Sequence, residues 1–151
     1  MIVGDVFVSA ACISYFGPFT GKYRQELIMK WHGWCIEKEI PCTVDFTLPK
    51  IMGDPVVIRD WNIAKLPTDN VSIESAILCM TSDRWPVMID QQQQAHTWIK
   101  NLEAKNELRT LQFAKGENQK EVKEFVRNLE FAIMNGKPVL LEDIGETLDP
   151  M

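Results

Sequence analysis

Eight residues, Asp90-Gln91-Gln92-Gln93-Gln94-Ala95-His96-Thr97, follow a short apolar run and lead into a helical stripe. That is where a nucleotide phosphate loop, Gly-x-x-x-x-Gly-Lys-Ser/Thr, does its chemistry. Its glycines let backbone N–H groups curl round phosphate, its lysine neutralises the charge, and its hydroxyl holds Mg²⁺. Only Thr97 fits. Asp90 brings negative charge to where phosphate would lie, and His96 is shorter than lysine and lacks its fixed charge. The companion strand of such a site ends in Asp-Glu, the first acid on Mg²⁺ and the second orienting water. Here Pro138-Val139-Leu140-Leu141 ends in Glu142-Asp143, the same chemistry in inverted order. The two half-signals point to a phosphate-loop ancestry whose site has lost its function. Asp90, Ala95, His96 and Thr97 are then a vestigial loop, and Glu142 and Asp143 a vestigial acidic pair. No catalytic residue and no bound cofactor are expected.

Other constellations carry less. His32 and Cys35 stand at i, i+3 with Cys42 nearby, which could begin a zinc site. Against that, Cys35 belongs to an apolar stripe with Trp34, and His32 sits at its edge; no metal is expected. Cys79, inside Ile77-Leu78-Cys79-Met80, has no basic neighbour to activate it and reads as core. Trp31, Trp34, Trp61, Trp85 and Trp98 could form a stacking platform, but three of them follow helical apolar spacing or open a strand. Packing is the stronger reading.

The elements that must position these residues read in two halves. Up to about residue 84 the chain is mostly helical. Val6 to Phe16 is a short apolar helix ended by Gly17-Pro18. Tyr23, Leu27, Trp31, Trp34 and Cys35 make one stripe of a second helix, whose other face carries Lys22, Arg24, Glu26 and Lys30, with Glu26 and Lys30 paired and Pro41 as the stop. Thr47-Leu48-Pro49 and Asp54-Pro55 each put a capping side chain before a proline, two short helix starts. Ile73, Ala76, Ile77 and Met80 mark a further helix. Beyond residue 84 the order is strand (Trp85–Asp90), helix (Trp98, Ile99, Leu102), strand (Leu108–Phe113), helix, strand (Lys137–Asp143). Val122, Phe125, Val126, Leu129 and Ile133 give the clearest amphipathic helix, capped by Gly136. This βαβαβ order predicts an α/β fold with a parallel sheet, and ligands of such sheets sit beyond the strands' carboxyl ends.

Composition narrows the classes. The chain has 151 residues, 46% apolar, 9% aromatic and 25% charged, which suits one soluble globular domain and excludes disorder. Its 16 basic and 21 acidic residues leave a net charge of −5, so neither nucleic acid nor an anionic membrane is an expected partner. Four scattered cysteines without a Cys-x-x-Cys pair fit a reducing compartment. The longest apolar stretch, Val6–Phe16, falls short of the roughly 20 residues a membrane helix needs. Asp5 stands where a signal peptide would be basic. A soluble intracellular chain is expected.

Several segments are recognisable as they stand. Gly4-Asp5-Val6, Tyr15-Phe16-Gly17-Pro18-Phe19-Thr20-Gly21, Gly53-Asp54-Pro55 and Trp61-Asn62-Ile63-Ala64-Lys65-Leu66-Pro67-Thr68-Asp69 closely resemble the dynein heavy chain family. So do Arg84-Trp85-Pro86-Val87-Met88-Ile89-Asp90 and Pro138-Val139-Leu140-Leu141-Glu142-Asp143-Ile144-Gly145-Glu146. The wording resembles axonemal rather than cytoplasmic chains, at the fifth AAA+ unit of the motor ring. The resemblance implies a helical segment, 1–84, leading from the stalk into the ring unit. It also implies that 85–151 are the first three strands and two helices of a degenerate AAA+ core. It implies an ATP-driven microtubule motor in cytoplasm, cytoskeleton and ciliary axoneme, with ATP and Mg²⁺ bound by other units. This unit would pack against its neighbours and the stalk's strut, touching microtubules only through the parent motor. The family's loop is usually Asp-Pro-x-Gly-Gln-Ala. This chain keeps Asp90, Gln94 and Ala95 but has Gln91 for the proline and Gln93 for the glycine.

A dynein unit continues past Leu148-Asp149-Pro150, so an expressed fragment or a truncated product is expected, prone to self-association. The leading expectation is a non-catalytic structural module relaying motion between ring and stalk. The alternative is a nucleotide-binding ATPase domain using Thr97, Glu142 and Asp143 with Mg²⁺. A third reading is a free-standing interaction protein that borrowed the fold.

Overall fold

A computed structural model describes residues 2–112 and 119–145. The chain divides into two compact units, Met1–Trp98 and Ile99–Met151, with the boundary inside one helix. Among the described residues no helix is long and apolar enough to cross a membrane.

The first unit is built from α1 (Val3–Tyr15), α2 (Gly21–Glu37), α3 (Leu48–Met52), α4 (Pro55–Ile63), α5 (Asn70–Thr81) and the start of α6 (Gln94–Leu102). Both proline-marked starts form as the sequence predicts. Thr47 accepts from the Lys50 N–H at 3.4 Å and Asp54 from the Val56 N–H at 2.8 Å. Asp69 caps α5 in the same way, accepting from the Ser72 N–H at 3.0 Å.

Two boundaries differ from expectation. α1 begins at Val3, three residues before the apolar run, because Asp5 is consumed by structure and not exposed. Its buried carboxylate accepts from the Thr43 N–H and the Thr43 hydroxyl, both at 2.8 Å. These bonds, the Thr43 N–H first, hold the carboxyl below the usual range. α2 stops at Glu37, before Pro41 is reached. Glu39 takes a left-handed φ of 55°, its N–H bonds to Ile36 O at 3.0 Å, and the Ile40 N–H bonds to Cys35 O at 2.8 Å. That reversal is a Schellman motif on a non-glycine residue, and it leaves Pro41 in the loop beyond.

α1 packs on α2, α3 and α5 through Val8, Cys12 and Phe16, against a core that includes Leu48, Ala76 and Ile77. Arg24, expected on the polar face of α2, is instead the one buried basic side chain among the described residues, because α5 and the turn before α2 supply acceptors for it. The Arg24 guanidinium donates to Phe19 O (2.9 Å), Val71 O (3.4 Å), Glu74 Oε2 (3.3 Å) and Ser75 Oγ (3.1 Å). Its carbon sits 5.4 Å from the Phe16 ring centre. The expected packing of the tryptophans needs correcting. Trp61 and Trp98 are buried edge to face, 5.8 Å apart, and half-buried Trp31 stacks on Phe16 at 5.9 Å. Trp34 is 52% exposed under the Lys30 ammonium, and Trp85 is 95% exposed. Adjacent helical positions are turned by about 100°, so burying Cys35 sends Trp34 outward.

The second unit holds β1 (Arg109–Gln112), α7 (Gln119–Met134) and β2 (Val139–Glu142). β1 and β2 are parallel, with Arg109 opposite Val139 and Gln112 opposite Glu142. α7 packs on β1, burying Phe125 and Ala132. The expected stripe continues through Ala132; Ile133 is 65% exposed. Gly136 at φ 61° ends the helix as predicted, with Gly136 N–H to Ile133 O and Lys137 N–H to Ala132 O. Phe113, the expected last residue of the middle strand, lies outside the described residues.

The α/β class and the parallel pairing therefore stand, but the described sheet has two strands, not three. Trp85–Asp90, the expected first strand, pairs with no strand among the described residues, and Val87 is 79% and Ile89 93% exposed. A strand is a pairing and not a local preference. Without a neighbour to take its N–H and C=O groups, an apolar run has no sheet to join.

Two stability predictions follow from this packing. Arg24→Met should cost about 3–5 kcal/mol in urea unfolding, because it leaves Glu74 buried and uncompensated. A loss under about 1 kcal/mol would refute that role for a buried pair. Trp31→Ala should cost about 2–3 kcal/mol, less than the cost for a fully buried ring, and Trp34→Ala within about 1 kcal/mol. Equal losses in thermal melts of the two variants would contradict the assigned packing.

Candidate functional site

The first half-site lies in the first unit, where the Trp85–Asp90 segment leads into α6. Asp90 is not a free charge at this turn. Its Oδ1 accepts from the Gln94 N–H at 2.9 Å and its Oδ2 from the His96 N–H at 2.8 Å. In the eight-residue frame these are amides of the kind a phosphate loop turns toward its ligand. The chain supplies its own anion to them. Gln93, which replaces the glycine of the resembled loop, keeps a left-handed φ of 56°, so the turn survives without the residue that makes it cheap. Thr97, the position of the Mg²⁺-holding hydroxyl, donates to Gln93 O at 2.7 Å. Ala95 and His96 form the half-buried first turn of α6. The residues that sequence pattern grouped do come together, as a capped helix start.

The second half-site lies in the second unit, at the carboxyl end of β2. Glu142 Oε1 meets Lys100 Nζ at 3.2 Å, with the glutamate only 24% exposed. Asp143 is exposed in a left-handed conformation, φ 55°, as the strand ends. Lys100 is the residue that pattern-reading missed. It comes from the last turn of α6, and nothing in its neighbours marks it as a partner for an acid 42 positions later. With that cation in place, Glu142 already has a counter-charge where a metal would otherwise be needed.

An open cleft of the second unit, about 550 Å³, is lined by Glu103, Lys105, Asn106, Gly136, Lys137 and Pro138. It lies beside the residues that precede β1 and β2, at the strands' amino ends, away from the end where such sheets bind ligands. Across it the Lys137 ammonium holds Glu107 at 2.8 Å and keeps that carboxyl below its usual range.

The zinc reading meets different partners. His32 Nε2 is 3.1 Å from Thr43 O, while Cys42 lies beside Cys35. Among the described residues no three of His, Cys, Asp and Glu converge in a way that could hold a metal ion. Burial pushes the Cys79 thiol up, and pushes Cys12 up to about 12, so neither is an activated nucleophile.

Comparison with known proteins supplies the lineage. Residues 59–151 match the family described as the ATP-binding dynein motor region. The chain is 46% identical over 149 residues to dynein axonemal heavy chain 6 of Homo sapiens, covering 99% of this chain and 3% of that protein. It is 43% identical over 148 residues to dynein axonemal heavy chain 3 of Mus musculus, covering 98% of this chain and 4% of that one. Human dynein axonemal heavy chain 2 is 39% identical over 150 residues, again 99% of this chain and 3% of the relative. The chain thus spans only 3–4% of the length of these relatives. With more than half its residues inside the motor-region match and near-complete alignment to axonemal heavy chains, the chain belongs to the dynein heavy chain family, in its ATP-binding motor region.

Proposed function

We propose that this chain is a structural, non-catalytic AAA+ module of an axonemal dynein motor, corresponding to the fifth unit of the ring. The observation that carries the reading is Asp90. Its carboxylate holds the two amides that a phosphate would need, 2.9 and 2.8 Å away. Lys100 gives Glu142, one member of the acidic pair, a counter-charge from the chain itself. No lysine stands at position 96 to draw in a triphosphate. On this reading residues 1–84 lead from the stalk into the ring, and residues 85–151 are the degenerate α/β core. The module packs against neighbouring units and the stalk's strut, passes motion between ring and stalk, and meets microtubules only through the parent motor. ATP and Mg²⁺ belong to other units, and the setting is the ciliary axoneme.

One observation favours a second reading. The matched family carries ATP binding in its description, which keeps residual Mg-ATP binding through Thr97, Glu142 and Asp143 as the alternative.

Isothermal titration separates the two. The expected affinity for Mg-ATP is no tighter than about 1 mM, roughly −4 kcal/mol. Micromolar binding lost on Thr97→Ala would establish the alternative. Asp90→Ala should lower stability by about 1 kcal/mol as a lost cap, without creating Mg-ATP binding.

The exposed Trp85–Ile89 segment is also the expected seat of self-association, since bare extended apolar backbone recruits other chains. Light scattering at about 100 μM should show species larger than a monomer, with amide exchange over Val87–Ile89 fast in dilute solution and slowed as the chains associate. A clean monomer with those amides protected would contradict it.

A further inference from the structure

The reversal that ends α2 has a chemical consequence. Because the Ile40 N–H returns to Cys35 O at 2.8 Å, the chain doubles back and brings Cys42 beside Cys35. The Cys35 thiol lies close enough to act directly on Cys42. Cys42 cannot swing away on its other side. Its sulfur occupies the space where a side chain on Gly4 would begin, and the Gly4 N–H holds the neighbouring Pro41 O at 2.9 Å. On the next residue, Thr43 is fixed by Asp5 through two bonds of 2.8 Å. The pair is therefore held in contact from α1, from α2 and from the loop between them. Both cysteines are free.

We propose that Cys35 and Cys42 are a disulfide-forming pair, a modification site that joins the last turn of α2 to the loop lying over the start of α1. The oxidant is a low-molecular-weight disulfide such as glutathione disulfide. Cys42, half-exposed, reacts first, while Cys35 is only 7% exposed. The Cys42 thiolate attacks one glutathione sulfur and expels a glutathione thiolate. Cys35 then gives up its proton, attacks the Cys42 sulfur and expels the second glutathione. Two protein thiols are oxidised, one small disulfide is reduced to two thiols, and the two protons end on glutathione.

The surroundings set the rate. Burial first, then the Cys35 thiol and the Asp5 carboxylate, push Cys42 up to about 11. His32, one turn back on α2, is directed at Thr43 O and not at the sulfur. The thiolate is thus scarce at neutral pH, and exchange speeds up as the pH rises toward that value. Slow formation makes this unsuited to fast sensing. Once formed, it restrains the unfolded chain more than it alters the folded one, and should raise the melting temperature.

The test uses the full chain with glutathione disulfide at mildly alkaline pH, then trypsin under non-reducing conditions. Lys38 lies between the two cysteines, so cleavage separates Trp31–Lys38 from Glu39–Lys50. The expected result is one peptide pair joined by a reducible link, with an intact mass lower by about 2 Da, the two hydrogens lost. The melting temperature should rise and return to its starting value after reduction. Cys35→Ser should instead stop at a glutathione adduct on Cys42, in a chain that still melts cooperatively. Separate glutathione adducts on both residues of the wild-type chain would overturn the proposal. So would links to Cys12 or Cys79 formed as readily, or a native chain that stays reduced while the urea-unfolded chain oxidises.

Discussion

A guanidinium buried among helices has to be answered on every side, and Arg24 is the point from which the first unit is organised. Its side chain is 4% exposed, so each of its N–H groups must find an acceptor within the protein. Phe19 O, in the turn between α1 and α2, takes one of them. The others require α5 to present Val71 O, Glu74 and Ser75 along one short stretch of its surface. That requirement fixes the rotation of α5 and the depth at which it meets α2. α1 meets the same charge with Phe16, whose ring face is attractive to a cation, and with Cys12, small enough to be enclosed completely. Removing the charge leaves Glu74 without its partner; a hydrophobic replacement of both ends is a different and milder change.

Much of the helical half is legible from local chemistry alone, because caps and stripes act over a few residues. Thr47, Asp54 and Asp69 cap helices with their own side chains, and Gly136 supplies the left-handed turn that ends α7. What resists reading is whatever depends on a distant partner. Asp5 looks like an exposed acid until Thr43 arrives from 38 positions away. Pro41 looks like the stop of α2, yet Glu39 ends it earlier by accepting backbone strain that loop contacts compensate. Trp85-Pro86-Val87-Met88-Ile89 has the composition of a strand, but composition cannot provide a neighbouring strand.

The candidate site divides along the same line. Its location was legible, since an apolar run ending in an acid before a helix marks a loop of the phosphate-binding type. The charge of Asp90 alone predicts repulsion of a ligand; in the fold it is first an acceptor that satisfies two amides. Both effects act against phosphate, but the second also gives the acid a structural reason to be there. Lys100 was not legible, because its pairing with Glu142 exists only once β2 and the end of α6 are both folded.

A tethered anion differs from a bound one in a way that bears on what such a module can do. A side chain two or three bonds from its own loop presents an effective concentration that a free ligand matches only at millimolar levels or above. A nucleotide would have to displace it while also meeting the absence of lysine. More important, a carboxylate does not turn over. In a working phosphate loop the loss of the γ-phosphate changes which amides and which metal contacts are made, and that change is what moves the neighbouring elements. On the proposed reading the Asp90 contacts have no such second state, since no phosphate is lost from this loop. A helix start fixed in that way cannot generate motion from chemistry at its own end. On the proposed reading it transmits displacement imposed by its neighbours, and the constant cap on α6 keeps that transmission stiff.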